Sequence, residues 1–422
     1  MTNDRLPART LPLLYLGSAH LSLALAFLCA AWWPRSVAGF FYHSWLVGLV
    51  HLVTLGWITF SILGSIYIVA PLALRMEMPA RRADYFAYAL AVIGLIGMIG
   101  HFWIQQFAGM AWSALTIASA ILYMTTRIAV SVHRAGVHPG VKIHVTLACV
   151  NLWIAASMGL LIAFDKFTHF LPGFVLANVF AHAHLAALGW AAMMVVGVAY
   201  RLLPMTLPSR IPAGNSLYLN AALFEIGVLG LFVTLLLRSR WVVAFGLIFV
   251  AGLAVFLGHV WWMLGHRVSK PAGAPRIDFA LLHAAAAGIS LITATAIGLI
   301  LLTRPASPEM LRAAAAYGVL GLVGFLAQMV VAMETKLLPM VSWFWSYAGS
   351  GYRIAPPSPH VMRDRSLQAV VFAGWTMGVP SLTLGMFWES PILVAVGAWA
   401  LLAGVSVAAI DSIFVVVHSI RA

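Results

Sequence analysis

Long apolar runs alternate with short polar segments along the whole chain. Twelve of these runs are close to the roughly 20 residues that a helix needs to cross the hydrocarbon core of a membrane. We therefore predict twelve transmembrane helices, at roughly 11–31, 44–70, 85–104, 108–130, 141–163, 174–200, 217–237, 241–264, 278–302, 312–338, 367–388 and 391–418. The longest connections, 264–277 and 339–366, are rich in Pro or Gly and are predicted to be loops. The pattern predicts an all-α polytopic membrane helix bundle, with 1–422 as a single integral membrane domain.

Composition supports a membrane location. Of the 422 residues, 63% are hydrophobic and 8% are charged, whereas an ordinary soluble domain has about 25% charged residues. A soluble fold of this length could not cover its surface with so few charges, and a disordered chain would be poorer in apolar residues. The net charge of +13 does not indicate nucleic-acid binding, because the basic residues are scattered between apolar runs. Membrane lipid is the expected surrounding, and no nucleic-acid partner is expected.

The basic residues are distributed unevenly between the two predicted sides of the membrane. Eighteen of the 24 lie on the side that holds both termini, and an excess of Lys and Arg marks the cytoplasmic side. The other six are Arg35, Lys166, Arg238, Arg240, Arg304 and Arg312. We predict a multi-pass protein of a bacterial-type inner (cytoplasmic) membrane, with both termini in the cytoplasm.

A threefold internal repeat is the most informative feature of the sequence. Three spans share a motif at offsets of 133 and 135 residues, and a proline follows each copy at a fixed distance. The copies read His51-Leu-Val-Thr-Leu-Gly-Trp57, His184-Leu-Ala-Ala-Leu-Gly-Trp190 and Val319-Leu-Gly-Leu-Val-Gly-Phe325. Chance alignment of Leu- and Ala-rich helices would explain the apolar positions but not the shared His and Gly-Trp. Since such self-similarity indicates repeated structural units, we predict three quasi-equivalent four-helix units at approximately 1–135, 136–272 and 273–422.

Twelve helices in three repeated arcs, with histidines inside the second and sixth spans, resemble the heme-copper oxidase subunit I superfamily. The chain is also similar in size and number of spans to the NnrS family of heme- and copper-containing membrane proteins. The resemblance implies one or two b-type hemes, with copper as a further candidate cofactor. It also implies a redox function and an electron-donating partner, such as cytochrome c, a cupredoxin or a quinol-linked subunit. As an enzyme, the protein would be an oxidoreductase that handles a small diatomic, either oxygen or nitric oxide.

Two departures from that superfamily affect the prediction. Val319 stands where the repeat would have a third histidine, and the sequence has no His-His pair of the kind that holds copper B. We therefore do not predict a standard proton-pumping terminal oxidase, and no catalytic residue is assigned.

His51 and His184 are the predicted axial ligands of heme b. Ionisable side chains inside a membrane are costly and usually face an interior site. At 1.5 Å per residue, the two histidines lie roughly 10 and 15 Å from the outer ends of their spans. Gly48 leaves room beside His51 for a flat macrocycle, and Trp57 and Trp190 are predicted to pack against its edge.

The remaining intramembrane histidines are weaker candidates. His182 turns about 200° away from His184 along the helix, so it is predicted to serve a second heme or metal. His101 and His43 lie toward the same outer side and are candidate metal ligands. Matching positions in the repeat are occupied by His20, His144 and His283. For these last three, an interhelix hydrogen bond is favoured over metal ligation.

Two alternative functions stay open on the sequence. One is a non-catalytic, heme-bearing anchor subunit that relays electrons within a larger respiratory complex. The other is a heme-free membrane transporter whose histidines line a polar path.

Overall fold

The computed structural model describes residues 7–268 and 277–421, with side chains up to residue 417. Within these residues, twelve helices are long and apolar enough to cross a membrane, and no β-strand forms. They are α1 Thr10–Trp32, α2 Ser44–Leu72, α3 Arg82–Trp103, α4 Phe107–Val132, α5 Pro139–Thr168, α6 Val175–Thr206, α7 Ser216–Leu236, α8 Val242–Gly265, α9 Phe279–Thr303, α10 Pro308–Gly349, α11 Arg365–Phe387 and α12 Pro391–Val417. The predicted all-α polytopic membrane fold is confirmed.

Several helices begin at residues whose side chains satisfy the otherwise unpaired backbone N–H groups of a first turn. Asp278 accepts a hydrogen bond from the Ala280 amide before α9, and Ser307 accepts one from Met310 at the start of α10. Pro308 is the first residue of α10, a position where its missing N–H costs nothing. These caps are local sequence signals. Helix α9 begins within one residue of the predicted 278, whereas α10 begins at Pro308, before the predicted 312.

Helix α10 is longer than predicted, so the predicted loop at 339–366 is wrong over its first part. The helix continues through Pro339 to Gly349. A proline inside a helix removes one hydrogen bond, but membrane helices tolerate this where neighbouring groups satisfy the freed carbonyl. The added turns are held by Trp345, which is buried and donates a hydrogen bond from Nε1 to the Pro7 carbonyl at 2.9 Å.

The described chain divides into two compact units. Unit 1 comprises Met1–Val69 and Gly273–Ala422, and unit 2 comprises Ala70–Ala272. The predicted repeat boundary at 272/273 lies outside the described residues. The division into two compact units does not test the arrangement in three quasi-equivalent units, which stays a prediction.

Unit 1 is built around α12. Both α1 and α11 pack along this helix, and α10 contacts α9 as well as α12. Its interior holds large aromatic side chains, among them Trp57 and Trp375, each at most 1% exposed. The Phe27 ring meets the Trp375 ring edge to face at 6.4 Å. Aromatic and aliphatic packing thus surrounds the few polar groups of this unit.

Unit 2 packs consecutive helices against one another, α3 on α4, α5 on α6 and α7 on α8. Close approach depends on glycines, as is common between membrane helices. A Cβ atom added at Gly227 of α7 would lie 2.6 Å from the Phe249 amide nitrogen of α8. Many large apolar side chains remain exposed in both units, as expected for surfaces that contact lipid; examples are Leu21, Phe86, Ile96, Trp112, Trp261 and Ile392.

In the part of the chain that the structure describes, three π-helical segments interrupt the α-helices that the sequence predicts. They span Leu52–Thr59 in α2, Leu185–Ala192 in α6 and Leu320–Ala327 in α10. Each begins one residue after the first position of the repeated motif, so the segments stand at the same offsets as the motif. Runs of π-helix account for well under about 1% of residues in globular proteins and concentrate at functional sites. The three π-helical segments therefore coincide with the three copies of the sequence motif.

The contact between α3 and α4 generates a stability prediction. A Cβ atom at Gly94 would lie 2.6 Å from the Ile117 amide nitrogen and 2.9 Å from the Ser113 carbonyl oxygen, whereas Gly100 of the same helix has open space at that point. We expect Gly94→Ala to lower the free energy of unfolding by about 1–3 kcal/mol through overpacking. Gly100→Ala should be neutral or stabilising by up to about 1 kcal/mol.

Unfolding by SDS titration, followed by circular dichroism, measures both variants. Equal stability of the two alanine variants would show that α3 and α4 do not approach as closely as described.

Candidate functional site

His51 and His184 have the same local geometry in their respective units. His51 belongs to unit 1 and His184 to unit 2. Each imidazole Nδ1 donates a hydrogen bond to the backbone carbonyl four residues earlier, that of Val47 or Phe180, at 2.8 Å. Each histidine is the last α-helical residue before a π-helical segment. Both side chains are partly buried. The equivalence predicted from the motif therefore extends to side-chain geometry.

The Nδ1 hydrogen bond determines the tautomer of both rings. A carbonyl oxygen can only accept, so Nδ1 carries the proton in the neutral imidazole and Nε2 carries the lone pair. Histidines that ligate metals commonly use this arrangement, because a hydrogen bond from the other ring nitrogen fixes the ring orientation and raises its basicity. Ligation of one iron by both residues stays a prediction.

His182 has a different partner from His184. Its Nδ1 donates to the Ala155 carbonyl of α5 at 2.9 Å. Its ring lies against Gly159, where an added Cβ atom would come within 2.8 Å of Cε1. His182 therefore bonds to a neighbouring helix, whereas the Nδ1 of His184 bonds to its own helix. The role of His182 at a second heme or metal is untested.

His101 and His43 bond mainly to nearby backbone. His101 Nδ1 donates to the Gly97 carbonyl at 2.6 Å, and the Ser113 hydroxyl lies 3.3 Å from the same nitrogen. His43 is partly exposed, and its Nε2 donates to the Ser36 carbonyl at 2.9 Å. Within the described residues, no three His, Cys, Asp or Glu side chains form a group that could hold a metal ion.

The three histidines at matching repeat positions all make polar contacts with a neighbouring helix. His20 Nε2 lies 3.6 Å from Glu334 Oε2, and the Gln328 amide donates to His283 Nδ1 at 3.3 Å. His144 Nδ1 lies 2.7 Å from the Gly140 carbonyl oxygen, and its Nε2 lies 2.9 Å from Asn220 Oδ1. Because both ring nitrogens of His144 are engaged, this residue could ligate a metal only by breaking a bond. An interhelix hydrogen bond is present at His144 and His283, whereas His20 faces Glu334 at a distance beyond hydrogen-bond range.

The two tryptophans and Gly48 lie in the interior of their units. Trp57 is buried, donates from Nε1 to the Ala327 carbonyl at 3.2 Å, and meets the His20 ring edge to face at 5.1 Å. Trp190 is 2% exposed, and Gly48 is buried one turn before His51. Their predicted contacts with a cofactor stay predictions.

A polar network in unit 2 was missed at the sequence level. Asn220 donates from Nδ2 to the Gly252 carbonyl at 2.7 Å, so its Oδ1 faces His144. The Tyr200 hydroxyl lies 3.1 Å from this oxygen and 2.7 Å from His259 Nδ1. The network joins α5, α6, α7 and α8. The only available signal was that an amide, a phenol and two imidazoles recur in apolar spans, where polar groups need partners.

No protein-family model and no curated protein sequence matches this chain. The resemblance to the heme-copper oxidase superfamily therefore rests on span number, repeat and histidine motif alone.

Asn220 provides a direct test of the unit 2 network. Asn220→Leu preserves volume but leaves His144, Tyr200 and the Gly252 carbonyl without their partner, at a cost of about 1–3 kcal/mol for each unsatisfied group. We expect a clear loss of unfolding free energy in SDS titration. The matched control is Asn215→Leu, an exposed residue just before the same helix, which should change stability by less than about 0.5 kcal/mol. An unchanged stability for Asn220→Leu would contradict the network.

Proposed function

We propose that this chain is a heme b-binding integral membrane redox protein in which His51 and His184 are axial ligands. The observation that carries the proposal is the shared geometry of these two residues. Each imidazole has the same tautomer, enforced by the same hydrogen bond of 2.8 Å, at the start of a π-helical segment. The Nδ1 bond to the carbonyl four residues earlier is also made by His20, His101 and His144. The position directly before a π-helical segment is the feature that distinguishes His51 and His184.

The residues present fit heme better than copper. Heme iron needs only one or two axial protein ligands, and a histidine imidazole is a common one. A copper centre of the superfamily type uses three histidines, and no such group forms among the residues that the structure describes. We therefore restrict the proposal to heme. When bound, the heme would supply one-electron chemistry, and the chain would contribute its axial ligands and an apolar, water-poor environment.

We propose that electrons come from a partner such as cytochrome c, a cupredoxin or a quinol-linked subunit. The supporting observation is that the sequence contains no CxxCH motif for a covalently bound heme. A chain without such a heme needs another protein to deliver electrons. A relay subunit and an enzyme that handles oxygen or nitric oxide differ in one observable. An enzyme needs an open axial position on iron, so its reduced form binds carbon monoxide, whereas an iron with two histidine ligands does not.

The spectrum of the purified protein tests the proposal. Protein from heme-replete cells should show Soret and α bands in a reduced-minus-oxidised spectrum. His51→Ala or His184→Ala should remove or shift these bands, because an axial ligand is lost. Added imidazole should restore them in part, a rescue that a purely structural role would not give.

The matched controls are His360→Ala in unit 1 and His133→Ala in unit 2, both exposed, and they should leave the spectrum unchanged. A colourless, correctly folded preparation would contradict heme binding and favour a heme-free transporter.

We propose that both termini face the cytoplasm of a bacterial-type inner membrane, on the basis of the uneven Lys and Arg distribution. Single cysteines introduced into a variant lacking Cys29 and Cys149 provide the test. Arg134→Cys, on the predicted cytoplasmic side, should be protected from a membrane-impermeant thiol reagent in intact spheroplasts. Arg238→Cys, on the other side, should react. The reverse labelling pattern would invert the orientation.

A further inference from the structure

Unit 1 contains a buried cluster of charged and titratable side chains that the proposed function does not use. His20 comes from α1, Glu334 from α10, Asp411 from α12, and Arg363 from the connection before α11. Each is at most 9% exposed. Such groups are rarely buried in a membrane protein without a functional reason.

Hydrogen bonds link the cluster into one network. Arg363 Nη1 donates to Asp411 Oδ2 at 2.6 Å. The Ser412 hydroxyl lies 3.3 Å from Arg363 Nη2 and donates to Glu334 Oε1 at 3.3 Å. His20 Nε2 faces the other carboxyl oxygen, Glu334 Oε2, at 3.6 Å. Glu334 is therefore contacted on both oxygens.

The charges of this network do not balance without a proton. Arg363 neutralises Asp411, which leaves the Glu334 carboxylate without a cation. Lys336, two residues along the same helix, is paired with Asp278 at 2.5 Å. An uncompensated charge in a low-dielectric interior is expensive. One additional proton, on Glu334 or on His20, removes that cost.

His20 is positioned to exchange this proton. Its Nδ1 donates to the Leu16 carbonyl at 3.0 Å, so Nε2 is the nitrogen that gains or loses a proton. The 3.6 Å separation from Glu334 is slightly too long for a direct hydrogen bond, so transfer of the proton needs a small approach of the two side chains or a water in contact with both.

A small cavity lies beside this pair. His20, Trp57, Glu334, Thr335, Arg363 and Ser412 are among its lining residues, and it has room for about one water molecule. Arg363 Nε is buried and has no hydrogen-bond partner among the described residues. A polar cavity next to an unsatisfied buried donor is the setting in which internal water is retained.

We propose that His20 and Glu334 form a binding site for a single exchangeable proton. In one state the proton is on the Glu334 carboxyl group and His20 is neutral. In the other, the proton has moved through water to His20 Nε2, giving an imidazolium–carboxylate pair. Both states have the same total charge, so the proton changes position without leaving an unpaired charge in the membrane. The site does not depend on heme.

Infrared spectroscopy of the full-length protein at neutral pH tests the proposal. The protein carries ¹³C-labelled glutamate, and its spectra in H₂O and in D₂O are compared. We expect either a protonated-carboxyl C=O band that is lost in Glu334→Gln or an imidazolium band that is lost in His20→Asn. In His20→Asn the proton has only one site left, so the carboxyl band should reach full intensity for one glutamic acid. Both bands should shift in D₂O.

Glu389→Gln removes an exposed glutamate and should change neither band. If Glu334→Gln fails to fold, the labelled wild-type protein and His20→Asn still decide the question. The proposal is overturned if Glu334 is ionised while His20 is neutral, or if no carboxyl band is lost in Glu334→Gln and no imidazolium band is lost in His20→Asn.

Discussion

The interior of a membrane protein must satisfy its own polar groups, because lipid offers them no hydrogen bonds. Most other features of this chain follow from that constraint. Buried Asp84, for example, accepts hydrogen bonds from the Arg81 amide and the Tyr123 hydroxyl and forms an ion pair with Arg127. The same constraint holds Asn220 and Arg363 in networks that cross several helices. The helices provide the apolar scaffold, and these bonds fix which faces meet.

This constraint divides the histidines into two groups. His20, His144 and His283 each contact a polar group on a neighbouring helix, so they contribute to the assembly of their units. His51 and His184 bond through Nδ1 to the carbonyl four residues earlier in their own helix, and each stands directly before a π-helical segment. An imidazole oriented in this way is suited to ligation. Their shared position before a π-helical segment is the physical basis of the proposed heme sites.

The fold was predictable from sequence where one-dimensional signals suffice. Membrane thickness imposes a length on apolar runs, and this length was sufficient to locate the twelve spans. The extension of α10 beyond Pro339 was not predictable, because proline usually ends a helix and the stabilising contact from Trp345 reaches a residue 338 positions away. The π-helical segments have no local compositional signal. The sequence showed only the repeated motif that begins at His51, His184 and Val319. It did not show that each copy of the motif is followed by a π-helical segment.

The candidate site was only partly predictable, because the repeat is a sequence signal whereas side-chain contacts are not. The repeat indicated that His51 and His184 are equivalent, but hydrogen bonds to Val47 and Phe180 depend on rotamers that sequence does not specify. Arg363 was assigned to a loop, and its burial against Asp411 depends on a contact across 48 residues.

Pulsed electron paramagnetic resonance of the oxidised protein, with ¹⁵N-labelled histidine, tests the central claim most directly. The account predicts a ferric heme signal with strongly coupled imidazole nitrogen, and loss of that coupling in His51→Ala or His184→Ala. A folded protein with no ferric heme signal, or with nitrogen coupling unchanged in both variants, would contradict it.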